Sequence, residues 1–585
     1  MKRVKPRCPG MAKMCKYVAA RGRCVLAGMA LVLAALVPAA LADDRSPALR
    51  GFWADAFSEG FKSTSQINSL ISRALTGRYN AIFAEVLAYH DRTGSGHGAY
   101  WNSSILPKAT DISGGIDPLA YLVQQAHANG LEVHAWLVPY RVCTSWPPSG
   151  NSLLAAHPEW LMVPLAYMDG GPAKVDGKYV LDPGSPDVQE YLISIVRELV
   201  TNYAIDGINY DYIRYTVTDA GYPADLDYTR SGLARFWQLT GYTGTPAPTG
   251  VVVWNDFRRR TIDELVRRTR VEMAAITTNP RQPLRFTADL ITFGNAPSNF
   301  ANSSAYTLHQ NWKYWMQQGW LDGGVPMNYK REYESDEAQW YRNWVNAAIG
   351  WRYSRHMYCG QGNYLNRKAD SVTQMQYALN AGANGTCNYA YADTADEDMN
   401  GSPEADWTWY TYVANNLFTS TVATPAMPWR DPATAVEGTL WGRATDPGTG
   451  DPIDGATIQV GALAAVETDG NGCFVVTMIP AAAGGTAYTV TASKTNCTTI
   501  QLTGVVVLPG DVVRQDISMC NSSPGTGDMD NDGDIDTVDL MRFFFCLAGP
   551  DSVYGSTHMC ARGDADGDLD IDMWDLAEFQ RNFGQ

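Results

Sequence analysis

The sequence predicts a multidomain chain: a (β/α)8 TIM barrel over residues 50–415, a small antiparallel β-sandwich over 438–519 and an α-helical module over 528–585. Three observations carry this. Residues 50–415 alternate short β-like runs with amphipathic helical runs eight times over, the pattern of a parallel barrel. Residues 438–519 hold β-rich runs broken by turn signals such as Asp446-Pro447-Gly448 and Asp469-Gly470-Asn471-Gly472. Residues 528–585 state one acidic register twice, each time ahead of an apolar helical run.

The expected barrel strands are residues 50–55, 81–89, 131–140, 207–212, 284–290, 324–329, 355–360 and 385–391, with helices such as 66–75, 119–128, 186–202, 256–276, 335–348 and 371–380 between them. A doubly wound sheet is the competitor, but no Gly-x-Gly-x-x-Gly follows an early strand. The key stretch is Tyr203 to Tyr215. There Gly207, Asn209 and Asp211 share one face of a strand, which sets Asp211 at its carboxyl end, where a barrel does its chemistry.

At 585 residues the chain has room for three or four domains, and 45% hydrophobic with 18% charged residues is a globular composition. Of the net charge of -16, the stretch 528–585 supplies 3 - 14 = -11, so no basic surface suggests nucleic acid. Basic residues from Lys2 to Arg23, an apolar run from Val25 to Val37 and Ala40-Leu41-Ala42 form an export signal over residues 1–42, too short in its apolar part for a membrane span. Export to the cell surface, periplasm or medium permits disulfides. The nearest pairs within each domain are Cys359 with Cys387, Cys473 with Cys497, and Cys546 with Cys560. Residues 416–437 and 520–527 are expected as linkers.

Several chemistries are disfavoured. The eight histidines are scattered, with no His-x-His or His-Glu-x-x-His, and there is no Gly-x-Ser-x-Gly. What remains at strand ends is carboxylate, amide and aromatic: Asp55, Glu85, Asp211, Asp289, Asn328 and Glu332. Two carboxyl groups in different environments suffice for glycoside hydrolysis, with no cofactor for catalysis. Fifteen of 18 Trp lie between Trp53 and Trp409, and runs such as Trp312 to Trp315 and Trp407 to Tyr410 offer flat faces for sugar rings.

The ordered motifs Arg50-Gly51-Phe52-Trp53, His134-Ala135-Trp136-Leu137-Val138-Pro139-Tyr140-Arg141, Leu181-Asp182-Pro183-Gly184, Asp206 to Tyr212 and Val325-Pro326-Met327-Asn328-Tyr329 resemble the glycosyl hydrolase-like 10 family over nearly all of 50–415. The resemblance implies a glycosidase acting on a polysaccharide, bacterial cell-wall glycan being one substrate class. Two departures stand out. Asp211-Tyr212 replaces the family's paired Asp, and Glu85-Val86-Leu87 replaces Gln-Val-Arg. They leave open a barrel that binds carbohydrate, or serves surface assembly, without cleaving it.

Asp211 is expected as nucleophile or electrostatic stabiliser, kept ionised by Arg214. For the proton donor Glu85 ranks first, since Phe83 and Leu87 flank it on its own face, then Glu332, then Asp289. His134, Trp136, Tyr140, Arg141, Asn209, Tyr212, Arg214, Asn328 and Tyr329 are expected to position the substrate.

Gly438 to Gly442, Asp454 to Thr457 and Thr468 to Phe474 resemble the carboxypeptidase regulatory-like domain, which implies a spacer. In the tail, Asp528, Asp530, Asp532, Asp534, Asp536 and Asp539 fall at positions 1, 3, 5, 7, 9 and 12 of an EF-hand-like loop. Asp564, Asp566, Asp568, Asp570, Asp572 and Asp575 repeat the spacing. Hard oxygens at that period suit Ca2+. The pair resembles a dockerin, which implies a cohesin-like or cell-surface partner, although Thr537-Val538 and Met573-Trp574 replace the usual recognition pairs.

Overall fold

The computed structural model describes residues 47–245, 247–495, 497–520, 527–529, 535, 537–547, 559–565 and 570–583. The expected export signal therefore lies outside the described residues, as do Asp530, Asp532, Asp534, Asp536, Asp566 and Asp568.

Eight parallel strands close on themselves: β1 (Leu49–Ala54), β2 (Ala81–Leu87), β3 (Glu132–Leu137), β4 (Gly207–Tyr210), β5 (Arg285–Ile291), β6 (Gly323–Met327), β7 (His356–Gly362) and β8 (Gly385–Tyr389). β8 pairs with β1, Leu49 opposite Gly385, and that closure rules out the doubly wound sheet. The helices between them include α1 (Thr64–Thr76), α2 (Pro118–Ala128), α3 (Pro186–Asn202), α4 (Gly232–Thr240), α5 (Val252–Ala275), α6 (Ser335–Gly350) and α7 (Lys368–Asn380). Their starts are local in origin. Ser63, Asp117 and Ser185 each accept an amide of the first turn, and Pro118 and Pro186 follow two of these caps where a missing N–H costs nothing.

Period-two alternation decides which side chains fill the barrel. Leu49, Trp53, Ala81, Phe83, Trp136, Val325, Tyr358 and Cys387 pack together inside, apart from the larger core between strands and helices. Small residues make the room. A Cβ on Gly207 would sit 2.5 Å from His134 Nδ1, and one on Gly360 would sit 2.9 Å from Trp53 Cη2. The same alternation corrects one expected disulfide. Gly360, not Cys359, lies opposite Cys387 in the β7–β8 register, so the two sulfurs face opposite sides of the wall and both stay free. Cys473 is free as well, and Cys497 pairs instead with Cys520; Cys546 pairs with Cys560.

The connection from β3 to β4 carries an unexpected excursion. Arg141–Cys143, Tyr179–Leu181, Leu161–Val163 and Tyr222–Pro223 form a four-stranded sheet beside the barrel's carboxyl-end mouth. At the opposite end, residues 417–430, expected as linker, are packed as a strap. Leu417 and Phe418 are fully buried, Arg285 donates to Pro425 O at 2.9 Å and Asn80 to Val422 O at 3.1 Å. Trp429 donates its indole N–H to Asp322 at 2.7 Å, and Arg270 reaches the same carboxylate at 2.9 Å. Although burial opposes it, these partners and Arg430 hold the Asp322 carboxyl well below its ordinary range.

The sandwich has one sheet built on β9 (Glu437–Thr445) and β11 (Cys473–Pro480) and a second on β10 (Thr457–Val460), β12 (Thr486–Ser493) and β13 (Ile500–Val507). It is not a free spacer: it lies against α4 and α5. In the last module, helices Thr537–Cys546 and Met573–Asn582 bury Phe543, Leu576 and Phe579 around the Cys546–Cys560 disulfide.

Candidate active site

Four barrel strands deliver carboxyl groups to one place. Asp211 follows β4, its amide donating to Leu137 O at 2.9 Å. Because Tyr210 pairs with Ala288, Asp211 stands level with Asp289 on β5. Glu85 comes from β2, in register with Trp136 of β3, and Asp55 follows β1. Glu85, Asp211 and Asp289 are all buried, and each feels the charge of at least one other.

The surroundings separate their acidities. Burial pushes Glu85 up to about 8, with Asp55 and Asp211 adding to the rise and the Ala56 amide, 2.9 Å from Oε2, opposing it. Burial also carries Asp289 well above its ordinary value, and the charge of Asp211 is the next cause; Asn209 donates to Oδ2 at 3.0 Å. Asp211 is raised by burial too, but Arg141, the Tyr212 amide at 2.6 Å and Arg214 all favour its anion. Burial opposes ionisation at all three, and Asp211 is the member whose anion two nearby cations and a backbone amide favour.

Tyr212 holds a left-handed backbone (φ 49), rare for a bulky side chain, and its ring is 40% exposed at the mouth. On the other side, Tyr329 from the end of β6, Tyr364 after β7 and Tyr389 of β8 form an aromatic wall. Tyr329 lies 5.5 Å from Tyr389 and 5.8 Å from Tyr364, and Trp53 packs edge-on beneath at 6.3 Å. The indole N–H groups of Trp136 and Trp53 are directed at the carboxyl groups of Asp211 and Asp289 and favour their anions. Buried carboxyl and indole groups beside tyrosine faces suit a ligand rich in hydroxyls.

Of the expected site residues, Glu85, Asp211, Asp289, Asn209, Trp136, Arg141, Tyr212, Arg214 and Tyr329 come together. Four do not. Glu332 is bound by Arg342 of α6, at 3.2 Å and 2.5 Å, an ion pair rather than a proton donor. His134 points inward a layer below, fully buried, stacked 4.6 Å from Phe83 and hydrogen-bonded at 3.1 Å to Glu132. Tyr140 is buried in the layer between strands and helices, and Asn328 donates to Tyr341 O of α6 at 2.9 Å. Asn328 falls on the outward parity of β6, whereas Tyr140 lies beyond the end of β3, where the alternation no longer applies. Trp312, Trp315 and Trp409 are core residues, not sugar platforms. Trp53, Tyr364 and Tyr389 were not singled out as site residues. Trp53 was legible from alternation along β1, as was Tyr389 from its parity with Cys387, but Tyr364 lies on a loop with no period.

Residues 48–378 match the family model described as glycosyl hydrolase-like 10, more than half of the chain. The chain belongs to the glycosyl hydrolase-like 10 family. The chain is 38% identical over 128 residues to glycosyl hydrolase DigH of Escherichia coli (strain K12), covering 20% of this chain and 28% of that protein. It is 23% identical over 346 residues to glycosyl hydrolase YngK of Bacillus subtilis (strain 168), covering 54% of this chain and 59% of that one. The matches thus span less than two thirds of either relative. Among solved structures, α-L-fucosidase isoenzyme 2 from Paenibacillus thiaminolyticus superposes with TM-score 0.42 at 14% identity, over 63% of this chain and 49% of that one. Residues 439–520 match the carboxypeptidase regulatory-like domain.

Proposed function

We propose that this protein hydrolyses O-glycosidic bonds of a polysaccharide, bacterial cell-wall glycan being the leading substrate class. The single observation that carries the reading is the convergence of buried Glu85, Asp211 and Asp289 at the mouth of a family barrel, with Asp211 backed by Arg141 and Arg214. Protonated Glu85 gives its proton to the leaving oxygen, while ionised Asp211 meets the developing positive charge at the anomeric carbon or activates the attacking atom. Asp289 and Asn209, hydrogen-bonded at 3.0 Å, hold Asp211's neighbourhood rigid, and Tyr329 and Tyr389 take the sugar face. The test is release of reducing ends from a panel of soluble glycans. Wild type is expected to cleave at least one, and Asp211→Asn to lose about 1000-fold or more in kcat while still binding it. Binding without release by wild type removes the catalytic reading and leaves a carbohydrate-binding barrel.

The export signal supports action outside the cytoplasm. The tail is proposed to bind Ca2+ as a dockerin-like pair serving a cohesin-like or cell-surface partner. Both loops tie position 12 back to the residue after position 1: Asp539 accepts the Met529 amide and Asp575 the Ala565 amide, each at 2.6 Å. Oxygens of Asp570, Asp572 and Asp575 lie within 4.8 Å of one another, a donor set that fits a hard cation.

A further inference from the structure

One wall of the mouth is a ladder of rings and cations. His97 stacks 4.2 Å from Tyr89, the two rings 3° from parallel, and its Nδ1 is hydrogen-bonded to Asp91. Arg141 lies 5.8 Å from the other member of that stack, Tyr89, and 3.6 Å from the ring of Tyr212. Arg214 in turn sits 4.7 Å from Tyr212. The rungs come from the loop after β2, the first strand of the excursion and the loop after β4, so three separate segments fix one line of side chains.

The guanidinium of Arg141 is the anomaly. It is half-buried and stacked, yet among the described residues it has no hydrogen-bond acceptor and no ion-pair partner. Its charge favours ionised Asp211, but that long-range effect uses none of its five N–H donors. A second cation is brought alongside. Asp176 accepts the amides of Val217 at 2.9 Å and Thr218 at 3.2 Å, which pins the turn carrying Lys178 to the loop that follows Arg214. Among the described residues the Nζ of Lys178 donates to the carbonyl of Asp176 alone, at 3.1 Å, and it feels the like charges of Arg141 and Arg214. Three cations gathered beside two carboxyl groups, Asp211 and Asp176, repel one another in the free protein, and such crowding is found where an anion is to be received.

We propose that Arg141, Lys178 and Arg214 form an anion subsite, which selects glycans whose sugar beside the cleaved bond bears a carboxylate. The planar fork of Arg141 matches a carboxylate in a bidentate way, and its rings hold it in place before the ligand arrives. The floor repels such a ligand less than three carboxylates would, because burial favours the neutral forms of Glu85 and Asp289. This rests on the reading of the mouth as a glycan site, and it names the substrate class for that site.

The test uses the full chain carrying Asp211→Asn, so that ligands survive. Bacterial cell-wall glycan strands, polygalacturonate and alginate are each offered in native form and after chemical reduction of their carboxyl groups. At least one native form is expected to bind ten times more tightly or better than its reduced twin, with the ratio shrinking as salt rises. Adding Lys178→Met, checked for folding by circular dichroism, should move that ratio several-fold toward one. Equal affinities within every pair overturn the subsite, whether or not wild type cleaves. A preserved ratio in a protein that cleaves nothing overturns the hydrolase reading alone.

Discussion

Replacing Glu85 by Gln is expected to abolish glycan cleavage and to stabilise the fold in the same step. The catalytic half follows from the proton. A carboxyl held at about 8 is a competent acid at neutral pH, an amide is not, and the loss of a general acid removes about 100- to 10000-fold. The stability half follows from linkage. The folded carboxyl titrates near 8 against an ordinary 4.5, so the native state keeps a proton that the unfolded chain gives up. The contribution of Glu85 is therefore complete below the unfolded value and is lost as pH rises through the folded one. At pH 7 the penalty approaches about 3 kcal/mol. Gln escapes it, keeps an oxygen for the Ala56 amide, and adds an NH2 that is harder to satisfy, so the net gain should be about 1–3 kcal/mol. Melting curves of both proteins at pH 5 and pH 8 check this, with the advantage of Gln growing toward pH 8. A variant that still cleaves, or that melts below wild type at pH 8, defeats the assignment. Wild-type cleavage should itself decline as pH rises past about 8.

What the sequence made legible followed from period and parity. The β4 alternation placed Gly207, Asn209 and Asp211 inside before any coordinates, and the same rule applied along β1 points to Trp53. The errors have equally local causes. Asn328 is a polar residue near a strand end, but its parity is outward, and Tyr140 lies past the end of β3, where no period applies; a motif states neither. Glu332 sits on a loop, where no period applies, and Arg342 ten residues on claims it. The Cys359 to Cys387 expectation used sequence distance, when the one-residue offset between neighbouring strands decides it. The Arg141, Tyr89 and Tyr212 ladder was out of reach because its rungs lie 52 and 71 residues from one another (141 - 89 and 212 - 141), with no pattern linking them.

The same blindness hid the interface between barrel and sandwich, whose strength yields the second large expected effect. α5 carries Arg258, Arg259, Arg260, Arg267, Arg268 and Arg270, and as an isolated sequence it reads as a solvated helix. In the fold it is buried on two sides, by the barrel and by β11. Arg235 of α4 lies 4% exposed between Glu264, at 3.1 Å and 3.2 Å, and Asp454 of the sandwich, at 2.7 Å and 3.1 Å. Arg260 donates to Thr468 O at 2.9 Å, Asn471 donates to Pro186 O at 2.8 Å, and Val271 packs with Trp441, Cys473 and Val475. Asp454→Ala leaves a buried guanidinium with one carboxylate where it had two. Removing one partner of a buried pair costs 3–5 kcal/mol, and the retained Glu264 puts this case near about 3 kcal/mol. Asp516→Ala is the control, since its pairing with Arg514 is half exposed on both sides and such pairs contribute less than about 1 kcal/mol. Calorimetry of the full chain should show barrel and sandwich melting together, with Asp454→Ala lowering that transition far more than Asp516→Ala. Two separate transitions in wild type, or equal effects of the two substitutions, would mean that the buried charges do not couple the domains. Coupling of this kind makes the sandwich a wall of the barrel rather than its spacer, because α5, which packs behind β4 through Tyr210 and Thr269 at 3.0 Å, is the element that holds Asp211 from behind.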